Sequence, residues 1–205
     1  MKKINQQQLN EILRKHKLWL NCEIDGEKAD LRYTDLRYTD LEGANLRYAD
    51  LRYTDLEGAN LIRANLEGAN LEGAYLEGAY LVGANLENIK INCYTIGYHL
   101  SCPEEGSFIG YKKANNCLIK LLILEDSKRS SATTSKCRCD KAKVLEIINL
   151  ETNENIESIT SDYDDEFIYR VNEIVKVDNF NEDRWYECAI GIHFFMNKEN
   201  ALNYN

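Results

Sequence analysis

The stretch ADLRYTDLRYTDLEGANLRYADLRYTDLEGAN, residues 29–60, returns leucine at every fifth position: Leu31, Leu36, Leu41, Leu46, Leu51 and Leu56. Ala or Thr stands two residues before each leucine, and Asp or Asn one residue before. The register continues without insertion to Asn88, giving twelve pentads. A period of five is neither helical nor that of a simple strand. A fixed internal repeat instead points to a stacked architecture. If the chain turns by about 90° per pentad, each coil takes about 20 residues and lies roughly 4.8 Å from the next, the spacing of hydrogen-bonded strands. The leucines then point inward, the Ala or Thr fills the remaining interior, and the other three positions face solvent.

Stacking at twenty residues makes the surface explicit. Arg37 should lie beneath Glu57 and Glu77, and Arg47 beneath Glu67 and Glu87. Tyr33 should stack on Tyr53, and Arg32 should face the like charge of Arg52. In the first two coils Tyr33, Tyr38, Tyr48 and Tyr53 interleave with Arg32, Arg37, Arg47 and Arg52. This face reads either as a solvated repeat surface or as a partner-binding patch, since Tyr and Arg favour interfaces.

The motif A(D/N)Lxx resembles the pentapeptide-repeat proteins. That resemblance implies a right-handed quadrilateral β-helix, here of three coils. A solenoid needs its ends covered. Leu9, Ile12, Leu13, His16 and Leu20 follow helical spacing, so residues 5–20 read as a capping helix with Asn5 at its start. His16 is assigned to that cap rather than to catalysis. Ile12, Leu13, His16, Trp19 and Leu20 resemble the ILxxHxxWL-like helix that precedes the first repeat in many phage and prophage pentapeptide proteins.

The chain carries 25 basic and 34 acidic residues, net −9. Residues 1–28 are net +2, residues 29–88 net −6 and residues 89–205 net −5. This balance argues against non-specific nucleic-acid binding. The longest apolar stretch, CLIKLLIL at 117–124, is interrupted by Lys120 and too short to span a bilayer. The start of the chain has no signal-peptide pattern. These features predict a cytoplasmic protein without a membrane partner, placed in the host cell if phage-encoded. Seven scattered cysteines read as reduced thiols.

After Asn88 the period fades, and IKINCYTI at 89–96 reads as an irregular last half-coil. The sole proline, Pro103, lies near the change of pattern. Strands are predicted at 107–113, 117–124, 143–150, 167–177 and 189–195, and a terminal helix at 197–204 with Asn197 as its cap. The whole chain therefore reads as mainly β: a capping helix (1–28), a pentapeptide-repeat β-helix (29–96) and a small α+β domain (97–205). EEGSFIGYKK (104–113), DSKRSSATTSKCRCDKAKVLEI (126–147), FIYRVNEIV (167–175) and DRWYECAIGIHFF (183–195) resemble a domain found downstream of such repeats in bacteriophage proteins. The resemblance implies a phage or prophage source.

SKRSSATTSKCRCDKAK, residues 127–143, sets six basic residues against one acidic and interleaves them with hydroxyls. Arg binds phosphate bidentately, Lys adds point charge, and hydroxyls and loop amides donate hydrogen bonds. Lys128, Arg129, Ser130 and Ser131 lead the candidate ligand contacts, followed by Lys136, Arg138 and Lys143. Trp185 and His193 are added as candidate contacts, with Trp185 or a tyrosine stacking on a bound base; the alternative places Trp185 in the core and His193 as a buried, hydrogen-bonded strand residue. The alternative is an exposed basic loop paired with SDYDDE at 161–166, or a protein-binding surface. Cys137, Cys139, Cys188 and His193 fit no common zinc spacing, and no orienting third group supports Cys–His catalysis. The P-loop, dinucleotide, HExxH and GxSxG motifs are missing.

These features favour a non-enzymatic binding protein. Its repeat would act as a scaffold or oligomerisation rod, and its last domain would hold a phosphorylated small molecule or nucleotide, or a host protein, to counter host defence. No cofactor or metal is expected, and a homodimer or higher homo-oligomer fits an end-pairing rod. One alternative, implied by the resemblance to pentapeptide-repeat proteins, is a DNA-mimic or protein-binding inhibitor of a host enzyme such as DNA gyrase. Net −6 on the repeat favours it, while a rod of roughly 15 Å is short for a mimic. The other is an enzyme acting on a phosphorylated or nucleotide substrate.

Overall fold

A computed structural model describes residues 1–204. They divide into two compact units, 1–99 and 100–205. In chain order the elements are β1 (Lys2–Lys3), α1 (Gln6–Leu20), β2 (Thr34–Asp35), β3 (Phe108–Ala114), β4 (Cys117–Ile123), β5 (Arg129–Ser131), β6 (Lys136–Cys139), β7 (Lys141–Asn149), β8 (Ser158–Thr160), β9 (Ile168–Arg170), β10 (Ile174–Lys176), β11 (Ile192–Phe195) and α2 (Lys198–Asn203).

The first unit begins with its cap. Asn5 accepts from the Gln8 amide while the Gln8 side chain accepts from the Asn5 amide, a reciprocal capping box at 2.9 Å each way. Leu9 and His16 are the buried residues of α1. His16 Nδ1 accepts from the Ala29 amide at 3.1 Å, tying the helix to the start of the repeat. Burial holds the His16 pKa below its ordinary value, which favours the neutral ring. β1 pairs in parallel with β2 and covers part of the first edge.

The repeat explains itself by the destination of its amides. In the pentad Leu61–Asn65, Leu61 N–H donates to Tyr80 C=O and Arg63 N–H to Val82 C=O, both one coil on. Asn65 N–H donates to Ala44 C=O, one coil back. Ala64 N–H closes a turn on Leu61 C=O. That leaves Ile62 N–H, which donates to the Asn60 side-chain oxygen at 3.1 Å. All five donors are satisfied, and the last is why Asp or Asn precedes all but two of the repeat's leucines, Leu76 and Leu81 following tyrosines. Parallel bridges join residues twenty apart in four columns, such as Asp30–Asp50–Asn70–Lys90 and Asn45–Asn65–Asn85. A single-residue slip appears at the end, where Tyr75 bridges Ile96. The leucines from Leu31 to Leu81 are at most 2 % exposed and form the core.

The second residue after each leucine is left-handed. Gly meets this at most later pentads, but Tyr33, Tyr38, Tyr48 and Tyr53 hold φ of 55–61°. A side chain there costs about 1–2 kcal/mol. The tyrosines offset it by lying on the next coil. A Cβ built on Gly58, Gly68 or Gly73 would sit 2.4–2.5 Å from the ring of Tyr38, Tyr48 or Tyr53. Tyr38 and Tyr48 hydroxyls donate to Glu57 and Glu67, and Tyr33 stacks on Tyr53 at 5.0 Å. Gly68→Ala should therefore cost more than Gly43→Ala, whose Cβ meets nothing within 4 Å at a similar φ. We expect about 1–2 kcal/mol for the backbone at Gly43 and clearly more at Gly68. Urea unfolding of both variants measures the difference, and adding Tyr48→Ala should erase it.

The second unit is an antiparallel seven-stranded sheet in the order β10-β7-β4-β3-β11-β6-β5, with a two-stranded β8-β9 ribbon beside it. Asn115 and Asn116, both with positive φ, join β3 to β4 in a two-residue hairpin. Alternate residues of β4 (Cys117, Ile119, Leu121, Ile123) enter the main core with Val144, Ile147 and Phe194. Leu118 faces the other way, against Phe195 and Ala201 of α2. Asn197 caps α2 through the Glu199 amide, at 2.7 Å.

One local expectation is corrected here. The alternative of an exposed basic loop does not hold: Arg129–Ser131 and Lys136–Cys139 are strands at the sheet edge, and every residue of β6 is buried. The polar composition that suggested a loop serves instead to bond irregular backbone elsewhere.

Candidate functional site

The arginines of the basic stretch point to main-chain carbonyls. Arg138 is 1 % exposed. Its guanidinium donates to Asn181 C=O at 2.5 Å, Asp183 C=O at 2.6 Å and Ile190 C=O at 3.4 Å, and stacks over Phe180. Arg129 donates to the carbonyls of Pro103, Gly106, Leu124, Glu125 and Ser127. Lys128 pairs with Glu182. Ser131 Oγ accepts from the Ser101 amide at 2.8 Å. Ser130 is buried, and Lys143 sits in β7 opposite Ile174. Trp185 carries the Arg184 guanidinium 4.4 Å from its ring centre. An anion would find Arg129 and Arg138 already bonded to backbone.

The pairing expected with residues 161–166 is replaced by these contacts, because a guanidinium with five donors is well suited to carbonyls that no ladder reaches. The arginines of the repeat are likewise engaged. Arg32, Arg37 and Arg52 fork onto Asp30, Asp35 and Asp50. Arg32 also reaches Asp50 at 3.5 Å, which relieves its repulsion from Arg52. Arg47 pairs with Glu67 at 3.0 Å, as the twenty-residue stacking predicts. Tyr33 and Tyr38 remain 55 % and 72 % exposed.

Two of the candidate residues, Lys136 and His193, do come together, in a different place. β11 meets β3 through a single pair, Phe195 with Tyr111. Extending that register would set His193 opposite Lys113. Instead the strands part, and a cavity of about 800 Å³ opens there. Its lining includes Lys112 and Lys113 from β3, Lys136 from β6, Cys188, His193, Asp162 and Tyr204, with Phe167, Tyr169 and Phe195 as apolar wall. Its size suits a small organic ligand.

Charge in this cavity is predominantly cationic at its buried end. Lys112 is 9 % exposed, and its ammonium lies 6.0 Å from the Tyr169 ring centre. It has no hydrogen-bond or ion-pair partner among the described residues. Burial pushes its pKa down and Lys136 adds to this, partly offset by Asp162. Lys136, 7 % exposed, donates to the Tyr204 hydroxyl at 2.6 Å and approaches Cys188 Sγ at 3.4 Å. Burial works against its charge, but the Tyr204 and Cys188 contacts outweigh that and hold its pKa above the ordinary value. Lys113 donates to Leu202 C=O.

His193 Nε2 is buried without a hydrogen-bond partner among the described residues. Burial, aided by Lys136, Lys112 and Arg138, lowers the His193 pKa to about 4. Because the folded value lies below the ordinary one, the neutral ring stabilises this unit fully above about pH 6.5. That contribution falls as pH drops towards about 4. An NMR titration of the ring checks this: it should remain neutral at about pH 5.5.

Sequence reasoning passed over Lys112, Asp162 and Tyr204. A signal was present for the first: in FIGYKKA, Lys112 shares parity with Gly110 and the buried Ala114, so a charge stands on an inward register. Among the described residues no group of three His, Cys, Asp or Glu side chains gathers as a metal site. Cys137 and Cys139 instead approach the Ser135 and Ile192 carbonyls. Among the described residues no helix is long and apolar enough to cross a membrane.

Residues 98–201, just over half of the chain, match a family of unknown function (DUF5758). The chain belongs to that family. Its preceding part, residues 27–61 and 59–92, matches pentapeptide repeats in eight copies. A crystal structure of a pentapeptide repeat protein (Rfr23) from the cyanobacterium Cyanothece 51142 is 47 % identical over 33 % of this chain and 46 % of that one, with a TM-score of 0.33. A pentapeptide repeat protein from the Arabidopsis thaliana thylakoid lumen is 34 % identical over 32 % of this chain and 45 % of its own, with a TM-score of 0.31. HetL from Nostoc, described as involved in heterocyst differentiation regulation, is 35 % identical over 31 % of this chain and 43 % of its own, with a TM-score of 0.20. This DUF5758 chain thus spans under half the length of each of these solved relatives. No curated protein matches it.

Proposed function

We propose that this DUF5758 protein is a non-enzymatic binding protein whose second unit holds a phosphorylated small molecule or nucleotide in the cavity between β3 and β11. The observation that carries this is Lys112, nine-tenths buried in the cavity wall and unpaired among the described residues. A buried ammonium held by no ion pair is costly, Asp162 offsets only part of that cost, and a bound oxyanion would relieve the rest. Lys136 adds a second cation, while Tyr169, Phe167 and Tyr204 offer flat apolar surface for a base or sugar. The repeat serves as scaffold or oligomerisation rod, following the right-handed quadrilateral path of its family. The resemblance to phage and prophage proteins supports ligand capture against a host defence, in the host cytoplasm.

Calorimetric titration with a panel of nucleoside mono-, di- and cyclic phosphates tests the proposal. Lys112→Met should weaken the bound member about 10- to 100-fold without lowering the unfolding midpoint. Retained affinity in this variant, or no binding across the panel and inorganic phosphate, would overturn it. A protein-binding role for the repeat, including inhibition of a host enzyme, is favoured by one observation: Tyr33 and Tyr38 are more than half exposed beside charged residues.

A further inference from the structure

We infer that the cavity is a carbonyl-condensing site, in which Lys112 forms an imine with an aldehyde or ketone whose anionic end is held by the Lys136 ammonium. The inference rests on the cavity reading above: it leaves the oxyanion in the cavity with Lys136 and gives Lys112, whose ammonium burial disfavours, the role of amine. Three lysines line one chamber, and two of them, Lys112 and Lys136, stand in different settings. Lys136 is anchored by the Tyr204 hydroxyl at 2.6 Å, over the same ring at 4.7 Å, and beside Cys188. Such contacts keep a cation charged and fixed. Lys112 has no hydrogen bond or ion pair among the described residues; an aromatic ring lies near its ammonium, and Asp162 acts on it only through longer-range charge. Desolvation beside a second cation favours the neutral amine, which is the nucleophilic form. The direction of its pKa shift agrees.

The condensation balances without any redox partner. The Lys112 nitrogen lone pair attacks the carbonyl carbon, and both amine protons leave with the carbonyl oxygen as water. The unpartnered, neutral His193 Nε2 lies in the same wall. Held neutral by burial and the surrounding cations, it adds no further positive charge beside Lys112. The class of ligand is therefore a small phosphorylated or carboxylated carbonyl compound.

The test uses the full chain with pyridoxal 5′-phosphate as anionic aldehyde probe and pyridoxal as its phosphate-free counterpart, at one equivalent. Borohydride fixes any imine, and peptide mass spectrometry locates it. The label should fall on Lys112 ahead of every other lysine, and should appear there about tenfold more slowly with pyridoxal. Lys136→Met should slow the phosphorylated probe to the pyridoxal rate. Lys112→Met, which removes the amine, should lose the label while its thermal midpoint and circular dichroism show it folded. Label spread over exposed lysines with Lys112 unmodified would overturn the inference. If phosphate ligands still bind in that case, the cavity reading stands and only the imine fails. If neither label nor ligand binding appears, both fail.

Discussion

Arg138→Ala should destabilise the second unit by about 3–5 kcal/mol, enough to unfold much of it at ordinary temperature. The side chain is 1 % exposed, and its guanidinium serves three carbonyls of the irregular segment 181–190. Alanine leaves those carbonyls without their charged donor, at about 1–3 kcal/mol for each that stays dry. It also removes the plane that covers Phe180. Arg138→Lys should recover less than half of the loss, because one compact ammonium cannot span carbonyls that a fork reaches together. Lys128→Ala is the control: its partner Glu182 is exposed, so no measurable change is expected. The two tryptophans, one per unit, allow the measurement. In a Trp19→Phe background, Trp185 fluorescence in urea follows the second unit alone.

The same arginine shows where sequence reading stops. A run of Lys, Arg and Ser has one composition whether it binds phosphate or its own backbone. Arg129 and Arg138 looked like ligand contacts because their acceptors lie far away in the chain, at Pro103, Gly106, Asn181 and Asp183. Nothing local announces a carbonyl that lacks a ladder partner. The cavity was hidden for a similar reason. Lys112, Lys136, Asp162 and Tyr204 are separated by dozens of residues and meet only because β11 leaves β3 after one pair. By contrast β3, β4, β7 and α2 were legible within a few residues of their observed bounds, since each satisfies its hydrogen bonds and parity locally. The long strand predicted over 167–177 is instead β9 and β10, broken at Asn172 with φ of 70°.

Leu61→Ala should cost the first unit about 2.7–5 kcal/mol, whereas Leu86→Ala should cost less than half as much. The two positions are identical in motif and differ only in neighbours. Leu61 is 0 % exposed and has Leu41 twenty residues before it and Leu81 twenty after. Leu86 is only partly buried, with Leu66 before it and Gly106 at the corresponding later position. A stacked repeat gains its stability from nearest-neighbour coils, so a central deletion opens a void against two layers and a terminal one against a single layer. The backbone cannot close the central void. Leu61 N–H and C=O are held to Tyr80 and Ala64, and the adjoining Asn60 amide to Thr39. Urea unfolding in a Trp185→Phe background, with Trp19 reporting, measures both. Equal losses would mean that the coils unfold as one indivisible core. The expected inequality would mean that the solenoid frays from its last coil, and that the five-residue code fixes the path of the chain while coil-on-coil burial supplies its stability.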